Sequence, residues 1–136
     1  MAHGRMSVKL NTWAVYKLDV EPDDYVLEIG FGPGVAVQKI AKQASQGLVA
    51  GIDPSDVMVR QASKRNATAV KAGRVELSEG SVDSLPYRDS SFDKVLSVNN
   101  IMLWPGPSQS MREIRRMLRP GGCLVIVLNP RWAKTP

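Results

Sequence analysis

A glycine-rich turn between a predicted strand and a predicted helix constrains the fold of this chain more than any other feature. The turn reads Glu28-Ile-Gly30-Phe-Gly32-Pro-Gly34 and follows directly on the apolar run Tyr25–Ile29. Glycine adopts backbone angles that other residues disfavour, and it lets a ligand approach the main chain closely. A helix that begins at such a turn presents free N–H groups, which favour a carboxylate or a phosphate. The turn therefore predicts a ligand site at the end of the first strand.

The rest of the chain alternates predicted strands and helices. We predict strands over 25–29, 48–52, 75–77, 92–98 and 123–128. We predict helices around 13–18 and over 35–45, 56–72 and 107–118, the last with Met111, Ile114 and Leu118 inward and Pro120-Gly-Gly122 as its breaker. Apolar strands that alternate with helices are typical of buried parallel sheets. The fold class predicted is a Rossmann-like, doubly wound α/β fold, with strand order 3-2-1-4-5 and a ligand site beyond the carboxyl ends of the strands.

Length and composition favour one domain without metal or membrane. The 136 residues divide into a predicted N-terminal helical segment (1–22), a ligand-binding domain (23–129) and a C-terminal tail (130–136). One cysteine and one histidine can form neither an intrachain disulfide nor a His/Cys metal site. We find no signal peptide and no apolar stretch of membrane-spanning length, so we expect a cytoplasmic protein.

The details of the turn indicate which ligand it takes. A dinucleotide fingerprint would need glycine where Val35 or Val37 stands, and no Gly-Lys-Ser/Thr follows as in a P-loop. Asp53, at the end of the second predicted strand, can accept hydrogen bonds from both hydroxyls of a ribose. The alternative, an acid that caps the next helix, is a role that Ser55 already fills. Together the turn and Asp53 predict a nucleoside that carries an anionic group.

Five ordered motifs carry a resemblance to a known family. They are Val26-Leu-Glu-Ile-Gly-Phe-Gly-Pro-Gly34, Gly51-Ile-Asp-Pro-Ser55, Glu79-Gly-Ser-Val-Asp-Ser-Leu-Pro86, Ser91-Phe-Asp93 and Leu118-Arg-Pro-Gly-Gly122. Over roughly residues 12 to 128 the chain resembles class I S-adenosylmethionine (SAM)-dependent methyltransferases, of the small-molecule type called methyltransferase type 11. The resemblance implies SAM as cofactor and S-adenosylhomocysteine (SAH) as product.

The resemblance also implies roles for residues that bind SAM. Glu28 and the turn Gly30–Gly34, which contains Phe31 and Gly32, would hold the methionine end, and Asp53 would bind the ribose hydroxyls. Pro54 and Met58 would pack on the adenine, although Met58 fits an ordinary core position equally well.

Two further segments complete the implied site. Ser81 and Val82 align with the segment that contacts the adenine edge, and Ser81 stands where the family usually has an aspartate. Asn99 ends the fourth strand beside the methyl group. No catalytic residue is identified, and the candidates on the acceptor side are Asn99, Asn100 and Trp104.

The function predicted is SAM-dependent methyl transfer to a small-molecule acceptor by in-line displacement. The alternative is a SAM- or SAH-binding module or truncated paralogue without turnover, which could serve as a partner subunit. A nucleic-acid methyltransferase is the least favoured reading, since it rests only on a basic C-terminal third. From Arg112 onward the basic residues are Arg112, Arg115, Arg116, Arg119, Arg131 and Lys134, against the single acid Glu113. A solvated helix face explains these charges more simply.

The resemblance stops after the fifth strand. The family's usual C-terminal β-hairpin follows strand five, and here the sequence ends at Pro136. We therefore expect a sheet that lacks this hairpin, with strand Cys123–Leu128 as an apolar edge. Because an exposed apolar edge invites pairing, we predict a homodimer or a partner chain there.

Overall fold

The computed structural model describes residues 2–129, with side chains from residue 9 onward. Its helices are α1 (Ala2–Leu18), α2 (Val35–Gln43), α3 (Asp56–Arg65), α4 (Ala67–Lys71) and α5 (Pro107–Met117), with a 3₁₀ turn at Ile101–Leu103. Its strands are β1 (Tyr25–Ile29), β2 (Leu48–Asp53), β3 (Val75–Glu79), β4 (Phe92–Val98) and β5 (Leu118–Val127). All neighbouring strands are parallel in the order β3-β2-β1-β4-β5, which confirms the predicted fold class. No helix in the described range could span a membrane, and the predicted tail 130–136 lies outside that range.

The sheet separates two apolar layers. One layer packs α1, α2 and α3 against the sheet, through buried side chains such as Leu18, Ile40 and Ala62. The other layer packs α5 against the opposite face, through Ile114 and Met117. Successive residues of a strand point to opposite faces, so β1 contributes alternately to the two layers. Residues 26–29 of the central strand β1 are therefore buried.

The helix predicted over 56–72 is divided into two. It begins as expected, with the Met58 amide donating to Ser55 Oγ at 3.2 Å. It is interrupted at Asn66, whose buried side-chain amide donates to the carbonyls of Ala62 and Gly34. An asparagine that bonds main-chain carbonyls competes with the helical pattern. Asn66 thereby ties the end of α3 to the glycine turn.

The fifth strand begins earlier than predicted, and Pro120 lies inside it rather than at the end of the helix. Helix α5 ends at Met117, and the Arg116 carbonyl accepts from the Ser90 amide at 2.8 Å instead of from a later helical amide. Pro120 has no amide to donate to that carbonyl, which stops the helix. Leu118 pairs with Phe92 and Cys123 with Lys94, so the residues between them form an irregularity in the pairing with β4.

The inward face of α5 also differs from the prediction. Ile114 is buried as expected, but Met111 is 40% exposed and Leu118 belongs to β5. Ser110 and Met117 are buried instead. They lie four residues before and three after Ile114, which is the spacing of one helical face.

Candidate functional site

The glycine turn lies between β1 and α2, and each of its three glycine amides donates a hydrogen bond to a different partner. Gly30 N–H donates to the Ile52 carbonyl at 2.8 Å, and Gly34 N–H donates to the Phe31 carbonyl at 3.1 Å. Gly32 N–H donates to Asp53 Oδ2 at 2.9 Å. Gly30, Gly32 and Gly34 all have positive φ, at 71°, 55° and 87°. Such angles favour glycine, which explains the sequence of the turn.

Gly34 has a second, steric reason to be glycine. A Cβ at this position would lie 2.7 Å from Ala62 Cβ and 3.0 Å from Ala62 Cα. The turn therefore also sets how closely α3 approaches the start of α2. Gly32 is different, because a Cβ built on it meets no atom within 4 Å.

Asp53 lies at the end of β2 with its carboxylate in contact with the turn. The residue is 7% exposed. Its Oδ2 accepts from Gly32 N–H and its Oδ1 accepts from Ser55 N–H at 3.0 Å. A carboxylate has about four lone-pair positions, so each oxygen can still accept one more hydrogen bond. This carboxylate is therefore oriented by the protein and keeps capacity for the paired hydroxyls of a sugar.

Glu28 is a buried acid without a complete set of partners. It is 1% exposed, and Oε1 has no hydrogen-bond partner among the described residues. Burial raises the pKa of the Glu28 carboxyl well above its usual range, and the negative charge of Asp53 raises it further. Buried charges in proteins are normally paired. The unpartnered oxygen therefore fits a ligand with a cationic or hydrogen-bond-donating group, such as the ammonium of an amino acid.

A cavity of about 120 Å³ opens beyond the carboxyl ends of β1 and β2. Six of the predicted site residues line it, namely Gly30, Pro54, Ser81, Val82, Asn100 and Trp104. Five lining residues were not predicted: Ile29, Ile52, Gly80, Leu103 and Pro105. The sequence signal for Gly80 is its position directly after β3. In the structure its amide donates to the Asp53 carbonyl at 3.0 Å, and a Cβ on it would lie 2.7 Å from Ile52 Cδ1.

Two predicted residues contribute to the core rather than to the cavity wall. Phe31 is 4% exposed and covers Gly51, where a Cβ would come within 2.6 Å of Phe31 Cδ2. Met58 packs against the layer that contains α2 and α3. Of the two readings left open for Met58, these contacts favour the core position.

The two asparagines at the end of β4 point in different directions. Asn99 is exposed, has a φ of 52°, and its Oδ1 accepts from the Asn129 amide at 3.3 Å, near the end of β5. The Asn100 side chain lies against the glycine turn. A Cβ added to Gly30 would be only 2.2–2.4 Å from the atoms of the Asn100 side chain. Its Oδ1 accepts from Trp104 Nε1 at 2.9 Å. Asn100 and Trp104 thus form one wall of the cavity, and the Asn99 side chain does not.

No three histidine, cysteine, aspartate or glutamate side chains of the described residues converge in a metal-binding group. What converges is the glycine turn, an oriented carboxylate and a second, buried acid. This set can hold a molecule with a sugar and an amino-acid group.

Comparison with known proteins agrees with this geometry. Residues 27–126 match the family model described as "Methyltransferase domain". The chain is 38% identical over 124 residues to the "Uncharacterized methyltransferase YdaC" of Bacillus subtilis, which covers 91% of this chain and 66% of that protein. It is 32% identical over 116 residues to the "Ubiquinone/menaquinone biosynthesis C-methyltransferase UbiE" of Geotalea daltonii, which covers 85% of this chain and 49% of that protein.

A solved structure shows the same fold. The "[4+2]-Cyclase SpnF" superposes with a TM-score of 0.78 at 27% identity, over 88% of this chain and 43% of that one. This chain therefore spans less than two thirds of the length of these relatives. The family match covers most of the chain and includes the glycine turn, Asp53 and the motifs up to β5, so the chain belongs to the methyltransferase domain family.

Proposed function

We propose that this protein binds SAM at the carboxyl ends of β1 and β2 and transfers its methyl group to a small-molecule acceptor by in-line displacement. The observation that carries the proposal is the contact between Asp53 Oδ2 and Gly32 N–H, at 2.9 Å. An oriented carboxylate beside the glycine turn suits ribose hydroxyls, and the start of α2 at the end of that turn suits a carboxylate. Family membership supports the same cofactor.

Different residues of the site would bind different parts of the cofactor. The Glu28 carboxylate would accept from the methionine ammonium, which gives the unpartnered Oε1 its missing contact. Asp53 would accept from the ribose, while Pro54, Ser81 and Val82 would enclose the adenine. Bound there, SAM supplies a methyl group made electrophilic by its sulfonium sulfur.

Asn100 closes the cavity and would have to move for the whole cofactor to enter. Pockets for ligands of this size are typically about 300 Å³ or more, and the cavity here is about 120 Å³. The Asn100 side chain occupies the space directly over Gly30. We propose that it rotates away on binding, which would also break its hydrogen bond to Trp104 and open the acceptor side.

Asn100 and Trp104 are the residues proposed to face the acceptor. Trp104 is 6% exposed and offers an apolar wall, and Asn100 offers an amide that can orient a nucleophile. Positioning alone can supply about 7–11 kcal/mol of the barrier, so the proposal needs no general base. The relative that is named for ubiquinone and menaquinone biosynthesis supports a small-molecule acceptor.

A second candidate function is a SAM- or SAH-binding module that performs no methyl transfer. The protein whose solved structure is named as a cyclase has the same fold under a name other than methyltransferase, so the fold alone does not require methyl transfer. One fold regularly hosts several activities. A partner subunit of this kind would keep Asp53 and the glycine turn and lack an acceptor.

A nucleic-acid acceptor is disfavoured by the ion pairs of the basic C-terminal third. Arg116 pairs with Glu113 and Asp89, and Arg119 pairs with Asp93. Charges engaged with carboxylates add little to an electrostatic footprint for phosphates.

We further propose that the free side of β5 pairs with a second copy of the chain. In the described residues β5 borders only β4. Cys123 is exposed and Leu124, Val125 and Ile126 are half-buried. Open apolar edges of this kind are normally covered.

Calorimetric titration with SAM and SAH tests the proposal. Asp53→Asn keeps the size of the side chain but replaces one acceptor oxygen by a donor, so we expect the SAH affinity to fall at least about tenfold. Asp23→Asn is the matched control, because Asp23 is exposed. Unchanged affinity in Asp53→Asn, or a wild-type protein that binds neither ligand, would contradict the proposed site. Formation of SAH from SAM with a panel of phenol and quinol acceptors then separates the enzyme from the binding module.

A further inference from the structure

One face of α5 forms hydrogen bonds with the β3–β4 loop, residues 80–91. Gln109, Glu113 and Arg116 follow one another at the spacing of a single helical face. Gln109 Nε2 donates to the Asp83 carbonyl at 3.4 Å, and Glu113 Oε1 accepts from the Leu85 amide at 2.8 Å. These contacts follow the loop in chain order, so the polar face of α5 holds the loop along its length.

Arg116 makes most of the hydrogen bonds between α5 and the loop. Its guanidinium donates to the Leu85 carbonyl at 3.0 Å, to the Tyr87 carbonyl at 2.8 Å and to Asp89 Oδ1 at 3.0 Å. It also makes a two-point contact with the Glu113 carboxylate, at 2.8 and 3.0 Å. Glu113 and Arg116 together therefore bond three residues of a segment that has no regular secondary structure.

The near end of the same loop forms the wall of the cavity. Gly80, Ser81 and Val82 line it together with Pro54. Val82 and Leu85 are each 5% exposed, and the Ser84 amide donates to the Ser81 carbonyl at 3.2 Å. A displacement of the segment that Arg116 holds would therefore be transmitted through a short turn to the wall.

We propose that Glu113 and Arg116 are positioning residues that hold Ser81 and Val82 against the purine of the cofactor, and thereby set the preference for adenine over other purines. The proposal rests on the proposed function. Free loops must be ordered when a ligand binds, and a loop that is already held avoids this cost. Polar contacts to a purine edge discriminate only when their own positions are defined. Arg116 is one-third exposed, and partly exposed ion pairs contribute little to global stability.

The test compares two variants of the full chain. Arg116→Met removes the contacts to the loop, and Arg115→Met is the matched control, since Arg115 is an exposed arginine on the same helix. Each protein is titrated with SAH and with the analogue in which hypoxanthine replaces adenine. We expect the wild-type protein to prefer SAH. Arg116→Met should bind SAH about tenfold more weakly and lose most of that preference, and Arg115→Met should match the wild type.

Glu113→Gln keeps the proposal testable if Arg116→Met does not fold. This substitution retains the size of the side chain but weakens the two-point contact with Arg116. Like Arg116→Met, it should reduce the preference for SAH over the hypoxanthine analogue. Arg116→Lys should fail to restore the preference, because an ammonium cannot reproduce the guanidinium fork.

Two results would overturn the proposal in distinguishable ways. If Arg116→Met melts at a lower temperature but keeps the wild-type affinity and preference, the contacts are structural only and the proposed function stands. If the wild-type protein binds neither SAH nor the analogue, the proposed function fails, and the positioning role fails with it.

Discussion

Gly32→Ala should separate the stability of the fold from the use of the site. Gly32 has a φ of 55°, and a Cβ built on it meets no atom within 4 Å. The substitution therefore adds no clash, and its cost is the left-handed backbone angle, about 1–2 kcal/mol. In a domain of this size such a loss lowers the melting temperature by about 3–7 °C. The hydrogen bond from the amide of residue 32 to Asp53 is retained.

The effect on binding should be larger than the effect on stability suggests. The space over Gly32 is open, and we propose that the methionine arm of SAM occupies it. A methyl group there would meet the ligand, so we expect the SAH affinity to fall at least about tenfold, or about 1.4 kcal/mol. Thermal unfolding followed by circular dichroism gives the first quantity, and calorimetric titration with SAH gives the second.

Gly73→Ala is a close control for the same backbone strain. Gly73 has a φ of 75°, and a Cβ on it also meets nothing within 4 Å. It lies between α4 and β3, at the opposite end of β3 from the cavity-lining Gly80. We expect the same loss of stability as in Gly32→Ala and wild-type affinity for SAH.

Two results would refute this reasoning. Wild-type affinity in Gly32→Ala would mean that no ligand approaches the main chain of the turn. An equal loss of affinity in Gly73→Ala would mean that strain, rather than occupation of the site, lowers binding.

The buried acid and the open edge give two further predictions. Because the pKa of Glu28 is raised in the folded protein, the wild type should lose stability as the pH rises from the ordinary glutamate range through that higher value. Glu28→Gln should flatten this dependence in urea titrations across the pH range, and an identical profile in both proteins would contradict it. Light scattering at concentrations on the order of tens of micromolar should show a dimer. Cys123→Lys, which places a charge on the β5 edge, should shift it to monomer, and a monomeric wild type would rule out the pairing.

The order of the elements could be predicted from the sequence because it depends on local patterns. Apolar runs bounded by glycine or proline identified the strands, and the spacing of Val37, Ile40 and Ala41 identified the buried face of α2. The glycines of the turn reflect backbone angles that each residue adopts on its own. Right-handed crossovers then restrict the order of a parallel sheet to few arrangements.

Errors in the sequence prediction occur where a distant contact overrides a local preference. The helix predicted over 56–72 is interrupted because Asn66 reaches the Gly34 carbonyl, 32 residues away. The end of α5 depends on the Ser90 amide, which takes the Arg116 carbonyl. The sequence of the helix alone does not reveal the Gly34 contact, and the sequence of α5 alone does not reveal the Ser90 contact.

The sequence by itself determined the fold class, the glycine turn and the acid at the end of β2, because each is encoded within a few neighbouring residues. Only the tertiary structure decided that Asn100 rather than Asn99 covers Gly30, and that the Glu28 carboxyl is buried without a full set of partners. It alone also brought Arg116 to Leu85, 31 residues earlier in the chain. The physical reason is that side-chain direction and burial depend on which elements pack together, and chain neighbours carry no record of that.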